Sequence, residues 1–298
     1  MSHDHSNNIP ESGKRLAIVV ALNFLITIAE VIGGLMSGSL SLLSDALHNF
    51  SDGIAVIIAW IAIKLRTLPR SDHYTFGLKR AEVLAAVINA GALVAISIYL
   101  FIEAWSRYHN PEPIAGNIMT IVATVGLVAN IIGTWLLHRG SKESMNLRAA
   151  YLHLFSDAIS SVGVILGGLA IMFLEVYWID PLLTVLIGLY VLKESMQILW
   201  RTLGIFMLAA PPELNTDEIR LAIREHENVD DIHHIHLWAV AENDIHFEGH
   251  ITIDDQLLSK ASLLRIQLEE LLHDRFDINH TTFQIEAVKD TCKTADLP

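Results

Sequence analysis

Cysteine is nearly missing from this chain. A single one, Cys292, stands among 298 residues, so neither an internal disulfide nor a thiolate zinc cluster can be built within it. Charge is sparse as well: Asp, Glu, Lys and Arg make up 18% of the sequence, and acids outnumber bases by 33 to 20. That shortage of Lys and Arg argues against nucleic acid as a partner, because phosphates must be neutralised by cationic side chains. The metallohydrolase signature His-Glu-x-x-His is also lacking. The sole His-Glu pair, His226-Glu227, has Asp230 where the second His would stand.

Apolar length is what the chain has in abundance. With 52% hydrophobic residues and a mean hydropathy of +0.43, it is too apolar for an ordinary soluble protein. Stretches near the roughly 20 residues needed to cross a bilayer fall at about 16–36, 40–63, 82–105, 114–137, 149–173 and 178–200. The first reads as a span rather than a cleaved signal: it is long, lacks a small-residue cleavage pattern and leads at once into another. Lys14 and Arg15 precede the first span. Lys64, Arg66, Arg70, Lys79 and Arg80 follow the second, and Arg139, Lys142 and Arg148 follow the fourth, whereas the opposite loops carry Arg107 alone. By the positive-inside rule both termini and the basic loops are cytoplasmic.

The acidity is concentrated at the C-terminal end. Residues 210–298 hold 19 acids and 7 bases, against 14 and 13 in residues 1–209, which suits a water-soluble domain that attracts cations. Pro211-Pro212 mark the boundary, since no helix continues undisturbed through them. Beyond it, Thr216 is expected to cap a helix to about 227. Residues 232–240 and 245–253 alternate like strands, 259–276 reads as an amphipathic helix, and 281–287 alternates again. The order αββαβ predicts a small open-faced α+β sandwich. The expected organisation is a tail over 1–15, a six-helix membrane domain over 16–208, a cytoplasmic regulatory and dimerisation domain over 209–290, and a short tail over 291–298.

Ionisable residues inside the apolar stretches carry the chemical information, because an Asp at the centre of an inserted helix costs about 2.5–3.5 kcal/mol on insertion scales. The second stretch contains His48-Asn-Phe-Ser-Asp52 and the fifth His153-Leu-Phe-Ser-Asp157, two copies of one pattern. In each, His and Asp lie one helical turn apart on one face. Two such helices packed together present two imidazoles and two carboxylates to one point, a donor set for the tetrahedron that Zn²⁺ favours. The alternative is a pair of hydrogen-bonded contacts holding the helices together. It leaves two buried carboxylates without a cation. Asp45, three residues before His48, reads as a carboxylate at a cavity mouth or one facing water. Asn23, Glu30, Asn89 and Asn130 read as bonds across helices or as lining of an aqueous route, and Gly33-Gly34 and Gly167-Gly168 as places of close helix approach or of a moving interface.

Several segments together resemble the cation diffusion facilitators, in their zinc-transporting branch: Ser39 to His48 with Asp52, Tyr74-Thr-Phe-Gly77 leading into Arg80-Ala-Glu82, His153 to Asp157, and His233-His-Ile-His-Leu-Trp238. The resemblance covers nearly the whole chain. It implies a homodimeric antiporter, not an enzyme, that exports Zn²⁺ from the cytoplasm in exchange for protons. It also implies a six-helix membrane domain and a cytoplasmic ferredoxin-like domain similar to a metallochaperone, in a bacterial inner membrane. The transport site would be His48, Asp52, His153 and Asp157. His48 in place of the Asp of some members implies a preference for zinc, with Co²⁺ and Cd²⁺ as further candidate cargoes. Imidazoles titrating near pH 6.5 must lose protons before binding metal, so metal and protons compete.

The same resemblance carries His233, His250 and Glu286 over as a cytoplasmic metal site with a regulatory role for Zn²⁺. Ser262 and Gln284 depart from the histidines of some members, which argues against a full two-metal cluster. His246 alternates with His250 and is expected near the same edge. Asp72-His73 lies where some members bind a peripheral ion, but Tyr74 and Leu78 replace their histidines. His3 and His5 form at most a weak metal-binding leader. An intramembrane metalloenzyme, a channel and a sensor are the rival readings, and proton-coupled flux separates them.

Overall fold

The computed structural model describes residues 11–66, 68–138, 145–241 and 244–290. Six long helices come first: α1 (Glu11–Ser37), α2 (Leu40–Arg66), α3 (Ala81–His109), α4 (Gly116–His138), α5 (Met145–Leu174) and α6 (Ile179–Phe206). Each is long and apolar enough to cross a membrane, and at most half of any apolar window is covered by protein. Trp135 and Phe173, among many others, are largely exposed, which is the expected surface of helices whose solvent is lipid rather than water. The remaining elements are α7 (Thr216–Arg224), β1 (Asp231–Ala241), β2 (Asp244–Ile253), α8 (Leu258–Phe276) and β3 (His280–Ala287), in the predicted order αββαβ. By contact density the chain divides into two bodies, residues 1–60 with 88–197, and residues 61–87 with 198–298.

In the first body α4 packs along α5, and α1 along α4. The approach of α4 to α5 depends on a missing side chain: a Cβ on Gly116 would stand 2.7 Å from the carbonyl oxygen of Gly168. Gly38 turns α1 into α2 with φ of 72°, a conformation that a residue with a Cβ adopts at a cost. Around this turn the backbone is pinned from three sides. Arg107 of α3 donates to the Gly38 carbonyl, and the Ala115 amide donates to the Ser37 carbonyl at 2.9 Å. Asp180, at the start of α6 and wholly buried, caps α2 from outside. Its Oδ1 accepts from Ser39 Oγ and Ser41 Oγ, both at 2.6 Å, and its Oδ2 accepts from the Leu40 amide at 2.8 Å. The N-terminal amides of a helix lack intrahelical partners and carry partial positive charge, so a carboxylate from a neighbouring helix satisfies both needs.

In the second body the sheet runs β1-β2-β3, with β1 antiparallel and β3 parallel to β2. A parallel neighbour needs a crossover, which α8 supplies. Ile219 and Ile223 of α7, Leu264, Leu268 and Leu272 of α8, and Phe247 and Ile251 of β2 share one buried cluster. Burial of each such side chain contributes roughly 1.5–3 kcal/mol. The cap of α7 differs from expectation. Thr216 is the first helical residue, and Asn215 is the cap, its side chain accepting from the Asp217 amide at 2.9 Å; Asn and Asp lead Thr at this position.

Because Asp180 satisfies two buried hydroxyls and the first amides of α2, Asp180→Ala should lower stability by about 3 kcal/mol, from lost capping and unsatisfied buried donors. Asp180→Asn, which still accepts through its amide oxygen, should lose less. Thermal unfolding of the detergent-solubilised protein reads both.

Candidate metal centre

The repeated pattern does converge. His48 and Asp52 lie one turn apart on α2, His153 and Asp157 one turn apart on α5, and the two rows face each other. His48 Nε2 stands 3.5 Å from Asp52 Oδ2 and 4.0 Å from Asp157 Oδ1. His153 Nε2 stands 3.2 Å from Asp52 Oδ2 and 3.4 Å from Asp157 Oδ2. A tetrahedron with metal–ligand bonds of about 2.0–2.1 Å has edges of about 3.3–3.4 Å; the His48–Asp52, His153–Asp52 and His153–Asp157 contacts lie near that length, and the His48–Asp157 contact is longer. Among the described residues His48 Nε2, His153 Nε2, Asp52 Oδ2 and Asp157 Oδ2 are buried and make no hydrogen bond. Buried polar atoms are normally paired, and orphans clustered in this way are what a bound cation would satisfy.

The access is one-sided. The His48 and Asp157 side chains are 7% and 3% exposed, whereas Asp52 and His153 keep 30% and 32%. Tyr190 of α6 closes the site edge-on, its ring centroid 6.2 Å from that of His48 and its hydroxyl 3.2 Å from Ser156 Oγ.

Asp45 belongs to the packing instead of a cavity mouth or an aqueous face. It is buried, and its Oδ1 accepts from Ser160 Oγ of α5 at 2.8 Å, a second bond between the helices that carry the ligands. Glu30 of α1, also buried, accepts from Asn49 Nδ2 at 3.1 Å, and Asn89 Oδ1 accepts from Ser51 Oγ at 2.9 Å. The residues flanking His48 and Asp52 are thus tied to α1 and α3, which limits rotation of the ligand row. Asn130 and Asn23 Oδ1 have no hydrogen-bond partner among the described residues.

A second convergence lies on the sheet. His233 of β1 and His250 of β2 are directly paired across the strands, with Glu286 reaching them from β3. His233 Nε2 is 3.3 Å from Glu286 Oε2, and His250 Nδ1 is 3.0 Å from Glu286 Oε1. All three side chains are at most 12% exposed. Gln284, where a histidine was the family alternative, donates from Nε2 to Glu286 Oε1 at 2.7 Å and fixes the carboxylate from behind. Among the described residues, His48, His153 and Asp157 form one group and His233, His250 and Glu286 the other whose three ligand side chains come within reach of one ion, and Asp52 stands outside the first. Asp72 and His73 are exposed and join no such group, while His3, His5 and Cys292 lie outside the described residues.

His246 does not join the sheet cluster. It packs between Trp238, Phe76 and His280, with centroids 5.6, 5.7 and 4.7 Å away, and its Nε2 lies 3.6 Å from Asp244 Oδ1. The Asp244 Oδ2 accepts from Lys79 at 2.5 Å, an ion pair between residues 165 positions apart in the chain. Burial pushes the His246 imidazole below its ordinary pKa, against the opposing pull of Asp244. A depressed histidine contributes stability that is present above the unfolded value of about 6.5 and lost as pH falls through the folded value. Protection of the β2 amides relative to their intrinsic exchange rates should therefore fall on acidification below about pH 6.5, and His246→Gln should flatten that dependence.

Comparison with known proteins finds transport proteins similar to this chain along most of its length. The family model described as "Cation efflux transmembrane domain" matches residues 16–207, and that described as "Cation efflux protein, cytoplasmic domain" matches residues 211–288. The chain is 36% identical over 297 residues to the metal cation efflux system protein CzcD of Cupriavidus metallidurans, covering 99% of this chain and 93% of that one. It is 36% identical over 295 residues to the zinc transporter ZitB of Escherichia coli, covering 96% and 93%. To the cadmium, cobalt and zinc/H(+)-K(+) antiporter of Bacillus subtilis it is 35% identical over 290 residues, covering 96% and 92%.

Proposed function

Since the chain belongs to the cation efflux family, we propose that it is a secondary active transporter that exchanges cytoplasmic Zn²⁺ for protons through His48, Asp52, His153 and Asp157. The observation that supports the reading is the set of four orphaned ligand atoms on α2 and α5, three of whose contacts lie near the edge length of a tetrahedron. Co²⁺ and Cd²⁺ take the same borderline donors and are further candidate cargoes, in keeping with the names of the relatives.

The chemistry of the donors supplies the coupling. An imidazole binds metal only when neutral, so the site holds either the ion or protons, and the empty carrier returns protonated. The carboxylates lower the cost of bringing a divalent charge to membrane depth, and protonation of the imidazoles lowers the cost of returning without it. A water-activating enzyme would need an open coordination position beside an acid–base residue, whereas here four side chains of the protein fill the tetrahedron.

In this reading residues 16–208 form the membrane domain and residues 209–290 a cytoplasmic one, with both termini on the cytoplasmic side of a bacterial inner membrane. The cytoplasmic domain pairs with that of a second copy. Zn²⁺ at His233, His250 and Glu286 regulates transport by biasing the two states of the dimer, since a closed three-ligand site on a folded sheet suits a retained ion better than a passing one.

The test is Zn²⁺ uptake into proteoliposomes under an imposed pH gradient. Asp157→Ala should lower the initial rate by about 10-fold or more, at least what loss of a group merely supporting a metal ligand costs. A chain ending at Leu208 should retain gradient-driven flux at a lower rate. Flux indifferent to Asp157 or to the gradient would instead favour a channel or a sensor. Acidifying the cytoplasmic face should weaken Zn²⁺ affinity, because protons compete with the metal for the imidazoles.

A further inference from the structure

Next to the closed group on the sheet lies a histidine pair that the transport reading does not use. β1 breaks register between His233 and His236, and at the break His234 adopts φ of 50°, a left-handed conformation uncommon for a residue with a side chain. Its consequence is directional. A regular strand that puts Ile232 into the apolar core would put residues 234 and 236 there too, since side chains alternate. The bulge instead brings both onto the polar face. His236 pairs with Glu248 across the strands, and the ring of His234 lies 4.7 Å from that of His250.

The two side chains meet at their tips. His234 Nε2 and His236 Nε2 are 3.3 Å apart, and the rings are close to perpendicular at 89°. Two Nε2 atoms at this distance accommodate at most one proton between them, because two N–H groups aimed at each other would repel. The same distance is the N···N edge of a tetrahedron built from Zn–N bonds of about 2.0–2.1 Å. His236 is exposed, so water reaches the pair.

We propose that His234 and His236 form a separate divalent-cation site, open to water, with water completing the shell. The ion is one that accepts imidazole, of the class of Zn²⁺. The site goes beyond the transport reading and does not require that His233, His250 and Glu286 bind metal. With two imidazoles against the closed group's three protein ligands, it holds its ion more weakly and exchanges it faster.

Equilibrium dialysis of the full-length protein in detergent against Zn²⁺ tests this, in an Asp157→Ala background that removes the transmembrane ligands from the count. His234→Asn keeps a residue that tolerates the left-handed backbone, and His236→Gln changes an exposed position, so both preserve the fold. Each should remove the same single, weaker Zn²⁺ equivalent, with an affinity loss of about 10-fold or more, and Glu286→Gln should leave that equivalent in place. Isotherms unchanged by either histidine substitution overturn the proposal. So does an equivalent that responds to His234→Asn and Glu286→Gln but not to His236→Gln, because His234 would then belong to the closed group. Flux measurements decide the transport reading independently.

Discussion

A carboxylate at membrane depth must have a partner, and most of the membrane-spanning structure can be read as the consequence of Asp157 and Asp52 being there. An Asp at the centre of an inserted helix costs about 2.5–3.5 kcal/mol on insertion scales, and two of them facing each other across α2 and α5 add like-charge repulsion. The two imidazoles relieve part of this. The orphaned ligand atoms show that the relief is incomplete within the described protein, and a divalent cation at the centre is the simplest completion. Substitution of the site by apolar residues would remove the strain and the chemistry together.

Holding such a site together requires that α2 and α5 keep their rotation, and the polar residues around the ligands do this. Asp45 is bonded to Ser160, Asn49 to Glu30 and Ser51 to Asn89, so α2 is referenced to α5, α1 and α3 within two turns of the ligands. Apolar packing in a bilayer gives little angular preference, because lipid tails are as apolar as the helix surface. Directed hydrogen bonds supply it. The sheet domain solves the same problem differently, with His233 and His250 fixed by strand register and Glu286 by Gln284.

Much of this was legible in the sequence, for physical reasons that apply residue by residue. Six apolar stretches read as helices because the bilayer dictates their length. His48 with Asp52 and His153 with Asp157 read as facing rows because an i, i+4 spacing has one geometric meaning in a helix. The strand and helix order of the C-terminal part followed from alternation. What escaped were contacts between groups distant in the chain. Asp180 stands before Pro181 at the start of its own helix, so its sequence context suggests a local cap, while its carboxylate serves α2 instead. Asp45 sits on the same stretch as His48, and nothing local says that Ser160 awaits it. His246 shares its alternation with His250, yet the pairing of Asp244 with Lys79 and the Phe76 ring beside it give it other neighbours. The bulge at His234 has no signature at all, since neither Gly nor Asn marks the left-handed residue.

The external cap on α2 has one more implication, which concerns leverage. A helix whose first turn is clamped by Asp180, Arg107 and Ala115 has its fulcrum there, and any tilt grows along its length. With a rise of 1.5 Å per residue, His48 stands about 12 Å and Asp52 about 18 Å from Leu40. A swing of roughly 10° would carry them about 2 and 3 Å sideways, as far as a whole metal–nitrogen bond of about 2.0 Å. A pivot at that end makes the row a lever arm: a modest rocking motion suffices to part the His48 and Asp52 donor atoms from those on α5.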